Sequence, residues 1–385
     1  MTLALSGNGD LSLNSLQIGG SYITPYAFRN RIINGSMVID QRNSGAAVTL
    51  NGANQFTVDR WRTGQLSGTW GSGVFSAQQV VDAPPGFYYS LKITTTTADT
   101  SGTAGDAYII VQAIENNLIL DLGFGTANAI PTTLSFWLKA SIAGTYTGTV
   151  QSVGATQAYT YPFEVNITNA NTWQYFSIPI SAFSTINAAT AVNAGGLGLV
   201  FDLGSGSNFY SSSFNTWQPN MYSTNSSAVK LVANANASLQ ITGVQLEAGP
   251  VSTPFENIPI NMLLDQCMRY YYRITTSNSN STYQRLGTGI AVSSTIFYIT
   301  FNFRVLMRDL PTIGYSALSD FGWYNGLYNN AASSAVTSPT AISLDDETNQ
   351  SATYQFTSTG LTAGQAVELS ATNNKTAYID FTAEI

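Results

Sequence analysis

Two stretches of the chain gather side chains suited to binding chemistry. Ser205 to Ser227, SGSNFYSSSFNTWQPNMYSTNSS, is rich in Gly, Ser and Asn yet carries Phe209, Tyr210, Phe214, Trp217 and Tyr222. Asp320 to Asn330, DFGWYNGLYNN, sets Trp323, Tyr324 and Tyr328 among glycines and asparagines. An aromatic ring offers a flat apolar face to the C–H face of a ring-shaped ligand, and neighbouring amides supply hydrogen bonds at low entropic cost. Loops are also where binding usually sits. The candidate ligand-contacting residues are therefore Tyr210, Trp217, Tyr222, Trp323, Tyr324 and Tyr328. Each cluster has a second reading. The first packs over a sandwich edge or against a neighbouring subunit. The second is a hairpin around Tyr324-Asn325-Gly326-Leu327, because Asn-Gly is a strong two-residue hairpin signal. Trp61, Trp137 and Trp173 lie inside strand-like patterns and read as core, where strand aromatics usually go.

Catalytic chemistry is narrowed by subtraction. The chain has no histidine, which removes Ser-His-Asp and Cys-His catalysis and the commonest transition-metal ligand. Cys267 is the single cysteine, so no intrachain disulfide and no zinc spacing exist. Paired carboxylates remain, and glycoside cleavage needs two at a defined separation, one with a raised pKa. The 21 acids are scattered and no β-helix repeat accompanies them. The expectation is a protein that is not an enzyme and carries no cofactor. A structural calcium ion stays open: Asp345-Asp346-Glu347 could hold one or merely face solvent, and no D-x-D-x-D-G loop is present. A net charge of −7 without a basic cluster sets nucleic acid aside. Met1 to Asp10 lacks the basic and apolar regions of a signal peptide. No apolar run approaches the ~20 residues that span a bilayer, so membrane insertion is not expected.

The elements that must carry these residues are strands. Of the 385 residues 44% are hydrophobic, enough for sizeable cores, but only 9% are charged, against about a quarter in ordinary soluble domains. Ser, Thr, Asn and Gly must build the surface, a composition suited to strands and turns. Period-2 alternation marks strands at residues 56–62, 88–94, 107–112, 134–140, 148–151, 161–167, 173–179, 198–201 and 239–246. Their number and Gly/Asn/Pro punctuation point to a β-sandwich or jelly roll over residues 29–258. Residues 1–28 are too short to bury a core and read as an assembly arm that adds a strand to a partner subunit or an attachment site. Residues 259–282 form a short helical connector, with Asn261 as cap and apolar residues at 263, 264, 267, 268 and 271. Strands at 296–303, 312–315, 353–357, 366–370 and 377–385 build a second, smaller β-sandwich over residues 283–385. The predicted class is all-β.

RNRIINGSMVIDQRN followed by FTVDRW resembles the opening of a broad group of phage and prophage tail-fibre-like proteins. LSFWLKAS, NTWQYFSIPI and LQITGVQLEAGPVSTPFE resemble the carbohydrate-binding-module type of β jelly roll found in that group. DQCMRYYYR is similar to the helical connector that follows it there, and the closing FTAEI fits as well. The resemblance covers residues 29–275 well and the rest loosely, with its pieces in order. It implies a two-layer antiparallel sandwich on a particle exterior, a homotrimer, other virion proteins joined through residues 1–28, and a host-surface glycan as partner. A purely structural virion protein (collar, head fibre or decoration protein) and a polysaccharide-degrading tailspike are the rival expectations, because fold does not fix function.

Overall fold

The computed structural model describes residues 28–64, 68–153, 158–185, 191–276, 284–324, 337–372 and 377–385. To these it adds the backbone of a short antiparallel hairpin, Leu16–Ile18 with Ser21–Ile23. The fold is all-β, with one α-helix among the described residues. Two compact units divide the chain between Ile258 and Pro259.

The first unit is an antiparallel jelly-roll sandwich of two six-stranded sheets. One, the open sheet, runs Gln174–Ile180, Thr132–Ala140, Ser238–Ala248, Ser90–Thr97, Val74–Val80, Val48–Leu50. The other, the strapped sheet, runs Gln218–Pro219, Tyr159–Ile167, Gly144–Ser152, Gly195–Asp202, Ile109–Glu115, Arg62–Gly64. Alternation assigns the faces. In Thr132–Ala140 the buried Leu134, Phe136, Leu138 and Ala140 point into the sandwich, leaving Ser135, Trp137 and Lys139 on the outside. Phe136 from one sheet meets Phe163 and Phe201 from the other, with ring centroids 6.0 and 5.1 Å away. Burying each such ring contributes roughly 1.5–3 kcal/mol. Trp61 is fully buried in this core and its indole N–H donates to the Asn34 carbonyl.

The period-2 pattern at 56–62 does not make a strand. Arg60 adopts a left-handed φ of 73°, and the Thr57 and Trp61 backbones close a turn on one another, so Phe56 meets Arg62 only in an isolated bridge and the strand begins at Arg62. Buried Asp59 explains the detour: its carboxylate accepts from both the backbone and the side chain of Gln41, which requires the chain to bend toward it. Glu256 ties the unit's two ends together by accepting from the Phe28 and Asn30 amides.

In the second unit a three-stranded sheet (Tyr271–Thr275, Tyr378–Thr382, Thr312–Tyr315) packs with a six-stranded one. The six run Phe321–Tyr324, Ala366–Ala371, Arg285–Ala291, Ile296–Asn302, Ser351–Thr357, Ala341–Glu347. Phe381 sits between them, near Phe301, Phe303 and Tyr354. The helix spans only Ile260–Met268; the expected connector is therefore shorter than 259–282, and Tyr271–Thr275 already belongs to a sheet. Pro259, not Asn261, precedes its first turn, since the fixed φ of proline suits a helix start and no side chain caps it. Leu263, Cys267 and Met268 are its buried side chains.

Candidate binding face

The aromatic stretch at 205–227 is a strap laid over the outer face of the strapped sheet. Phe209 is buried against Ile109, Val111 and Val200, outward-pointing residues of that sheet. Hydrogen bonds stitch the strap along its length. The Thr160 hydroxyl donates to the Asn220 carbonyl, Thr147 to the Thr224 hydroxyl, and the Asn215 amide to the Pro162 carbonyl. At its root, fully buried Asp202 accepts from the Ser223 hydroxyl (2.6 Å) and from the Gly204 and Ser205 amides. Burial pushes the Asp202 carboxyl above its ordinary pKa, against the opposing pull of the Ser223 hydroxyl.

Of the predicted residues on this stretch, Trp217 stacks on Phe183 at 4.7 Å, touches Tyr161 and Phe124 edge-on, and donates its indole N–H to Ser181. Tyr222 is half-buried, its backbone amide on the Thr160 hydroxyl. Tyr210 is half-buried beneath the Lys230 ammonium, 5.8 Å from its ring. Phe209 and Trp217 pack inward. In the second unit Trp323 is 8% exposed and its indole N–H donates to the Ser358 hydroxyl, so an exposed platform there is corrected to core packing. Tyr324 is half-buried opposite Glu368. Tyr328 and the expected hairpin turn beyond Tyr324 lie outside the described residues.

The outward aromatics are elsewhere. Trp137 and Trp173, read from sequence as core, are half-buried on the outer face of the open sheet. The parity of their strands explains the correction, since Phe136 and Leu138 take the inward positions. Trp137 lies opposite Tyr175, with ring centroids 5.4 Å apart, and Tyr175 is 44% exposed. The loop Val81 to Tyr89, VDAPPGFYY, frames one side. Its two prolines and Gly86, at φ 95°, turn it back over the sheet, and Ser90 and Thr242 anchor it by donating to the Asp82 and Tyr89 carbonyls. Tyr88, 64% exposed, projects from this loop, while half-buried Phe87 packs edge-on against Phe255 at 5.0 Å. Gly243 makes the approach feasible. It sits in a bulge of Ser238–Ala248 at φ 63°, where a Cβ would lie 2.6 Å from Phe87 and 3.0 Å from Trp137.

Beside these rings runs a polar row across four strands: Lys139, Gln240, Lys92 and Gln78, each opposite the next. Asp82 reaches its head. One carboxylate oxygen accepts from Lys139 Nζ (2.7 Å) and Gln240 Nε2 (3.1 Å), the other from Trp173 Nε1 (3.3 Å). The Lys139 side chain, first among these donors, holds the Asp82 carboxyl below the usual carboxylate range. Lys139 also lies 5.7 Å from the Trp173 ring centroid. Flat rings beside charge-assisted donors and an ionised acceptor can stack on a ligand ring and bond its hydroxyls. Asp82 held ionised by its ammonium partner acts as an acceptor, not as a proton donor. Sequence reading missed Asp82, Lys92, Lys139, Tyr175, Phe87 and Gln240. The available signals were the shared parity of Trp137 with Lys139 and the Pro-Pro-Gly turn ahead of three aromatics.

Asp345-Asp346-Glu347 closes the edge strand Ala341–Glu347, with both aspartates exposed. Among the described residues no group of three acidic, histidine or cysteine side chains gathers to hold a metal ion, and no helix is long and apolar enough to cross a membrane.

No family model and no curated protein matches the sequence. Among solved structures the chain is similar to the enzymatically active domain of tailspike protein 4 of bacteriophage CBA120. The two share 13% identity over 57% of this chain and 22% of that one, with a TM-score of 0.29. It is also similar to the CBM22-1 xylan-binding domain of Paenibacillus barcinonensis Xyn10C, at 10% identity over 55% and 99% of the two chains and a TM-score of 0.27. A family 11 carbohydrate-binding module of Clostridium thermocellum, in complex with a mixed-linked tetrasaccharide, shares 10% identity over 54% and 98%, with a TM-score of 0.26. Likenesses of this size carry no functional weight.

Proposed function

We propose that the chain is a non-enzymatic glycan-binding protein whose ligand lies on the open face of the first unit, and that it serves as an exterior appendage of a bacteriophage particle, a tail fibre that meets host-surface sugars. One observation carries the binding half: Trp137, Trp173, Tyr175 and Tyr88 leave aromatic surface outside a sheet whose core is already complete, beside Asp82, Lys139 and Gln240. Isolated exposed apolar residues need no explanation, whereas rings grouped with convergent polar groups fit a binding site. The ordered resemblance of residues 29–275 to phage tail-fibre-like proteins supports the virion half, and low surface charge fits assembly as a homotrimer.

A glycan array with the full chain and its Trp137→Ala variant tests the binding. Binding to a defined set of sugars, lost in the variant while the protein stays folded, is the expected result. No binding anywhere on the array, or binding indifferent to Trp137, overturns it. Incubation of bound polysaccharide without new reducing ends is expected of a binder; their appearance would make the protein an enzyme. Electron microscopy of intact particles is expected to place the chain on the tail exterior, and native mass spectrometry to give three copies.

A further inference from the structure

We propose that the open face selects acidic glycans, taking the carboxylate of a uronate-type sugar between Lys92 and Lys139 while the sugar ring stacks on the neighbouring aromatics. This rests on the glycan-binding reading above and names the ligand class of the same site. The chain carries a net charge of −7 and only four lysines, Lys92, Lys139, Lys230 and Lys375. Two of the four stand in one row on one face, separated by Gln240 alone. Adjacent strands lie about 4.8 Å apart, so the two backbone positions are about 10 Å apart, a gap that two flexible four-carbon stems can span.

The two lysines are not equivalent. Asp82 neutralises Lys139 and fixes its direction. Lys92 is half-buried, and no carboxylate pairs with it among the described residues. Asp82, Lys139 and Lys92 together leave one positive charge on a row otherwise built of amides. A neutral sugar would leave that charge unused; a ligand carboxylate would complete it, accepting from Lys92 and from the remaining protons of Lys139. Trp137 and Tyr175 stand in the next row, two residues along their strands, and Trp173 closes the row's head beside Lys139, so a stacking surface adjoins the polar row. Asp82 has a second effect: its carboxylate already holds Lys139, Gln240 and Trp173, so it repels a second anion from that stretch of the row and the ligand carboxylate belongs on the Lys92 side of Gln240.

The test uses the full chain with a panel of uronate-containing polysaccharides, each paired with its own carboxyl-reduced derivative, in which rings and linkages are kept and the charge is removed. Lys92→Gln and Trp137→Ala are measured alongside by isothermal titration at two salt concentrations. The expected result is binding to acidic members that falls about tenfold on carboxyl reduction, about tenfold in Lys92→Gln, and further as salt rises. Reduced polysaccharides binding as well as their acidic parents, or Lys92→Gln leaving acidic binding unchanged, overturns the acidic selection. In that case binding that still depends on Trp137 keeps the glycan reading standing. Absence of binding to every panel member, with a neutral glycan array equally blank, removes both.

Discussion

The two outer faces of the first unit are made by sheets of equal strand number on one shared core, yet they carry aromatics in opposite senses. Over the strapped sheet, Phe209 is buried on the outer face and Trp217 packs at the sandwich edge against the shared core, so both are used up in packing. Over the open sheet, Trp137, Trp173, Tyr175 and Tyr88 stand on the outside with a polar row beside them. What separates the faces is the connection. A long excursion, 203–229, returns across one sheet and hydrogen-bonds to it throughout, whereas the short loop 81–89 only fences the other. Aromatic content in a loop therefore says little about binding; the surface a loop lies on decides whether its rings are floor or filler.

The largest effect that would break this contrast is on stability. Phe209→Ala is expected to cost about 3–5 kcal/mol, read as a lowered thermal midpoint, with glycan affinity of the folded protein unchanged. A cost under about 1 kcal/mol would mean that the strap is not part of the core. Trp137→Ala should act the other way: a loss of about 2 kcal/mol in binding, near thirtyfold, with a smaller change in stability. A large drop in melting temperature with intact affinity would return Trp137 to a packing role. Gly243→Ala should lower stability by about 1–2 kcal/mol, since an alanine there is strained at positive φ and pushes Phe87 and Trp137 aside. Affinity should fall with it, and equal affinity at reduced stability would exclude Phe87 from shaping the face.

The smallest effect is the most discriminating, because pH should move the two faces in opposite directions. The folded Asp202 carboxyl is raised, so its contribution is full below the ordinary Asp value of about 3.9 and is lost as pH climbs through the raised value. The folded Asp82 carboxyl is lowered, so its contribution is present above about 3.9 and is lost as pH falls through the lowered value. Acid should thus stabilise the strap's root as a whole by relieving the buried charge of Asp202, while loosening the hold of Asp82 on Lys139, Gln240 and Trp173 on the open face. Opening free energies of the strap's root from hydrogen exchange, and NMR of the Trp173 indole and Lys139 ammonium protons, followed from pH 7 down to about 2, would show both trends; parallel trends would contradict the assigned anchors.

Much of the fold was legible because strand alternation is a local signal. Thr312–Tyr315 lies where its pattern puts it, and Leu239 to Leu246 forms the heart of a longer strand, Ser238–Ala248. Residues 56–62 misled because buried Asp59 and a left-handed Arg60 override the pattern with contacts that alternation does not encode. The open face was half legible. LSFWLKA states in its own parity that Trp137 travels with Lys139 and Ser135, away from Leu134, Phe136 and Leu138. The convergence of Asp82 with Lys139 and Gln240, residues 57 and 158 positions away, depends on strand order and could not be read locally. The strap was unreadable for the same reason, as its partners at Thr147, Thr160 and Asp202 become neighbours only once the sheet exists.

The edge strand Ala341–Glu347 bears on how the protein behaves in a crowd. A sheet's last strand offers unpaired amides and carbonyls to any other chain that arrives, and in a protein with so few charges most of the surface does little to repel a visitor. Asp345 and Asp346 put two like charges on that rim, where a second copy laid alongside would set its own aspartates close to these. The repulsion discourages sheet-to-sheet growth at high local concentration, so removing both charges is the change after which fibrous aggregates should first form.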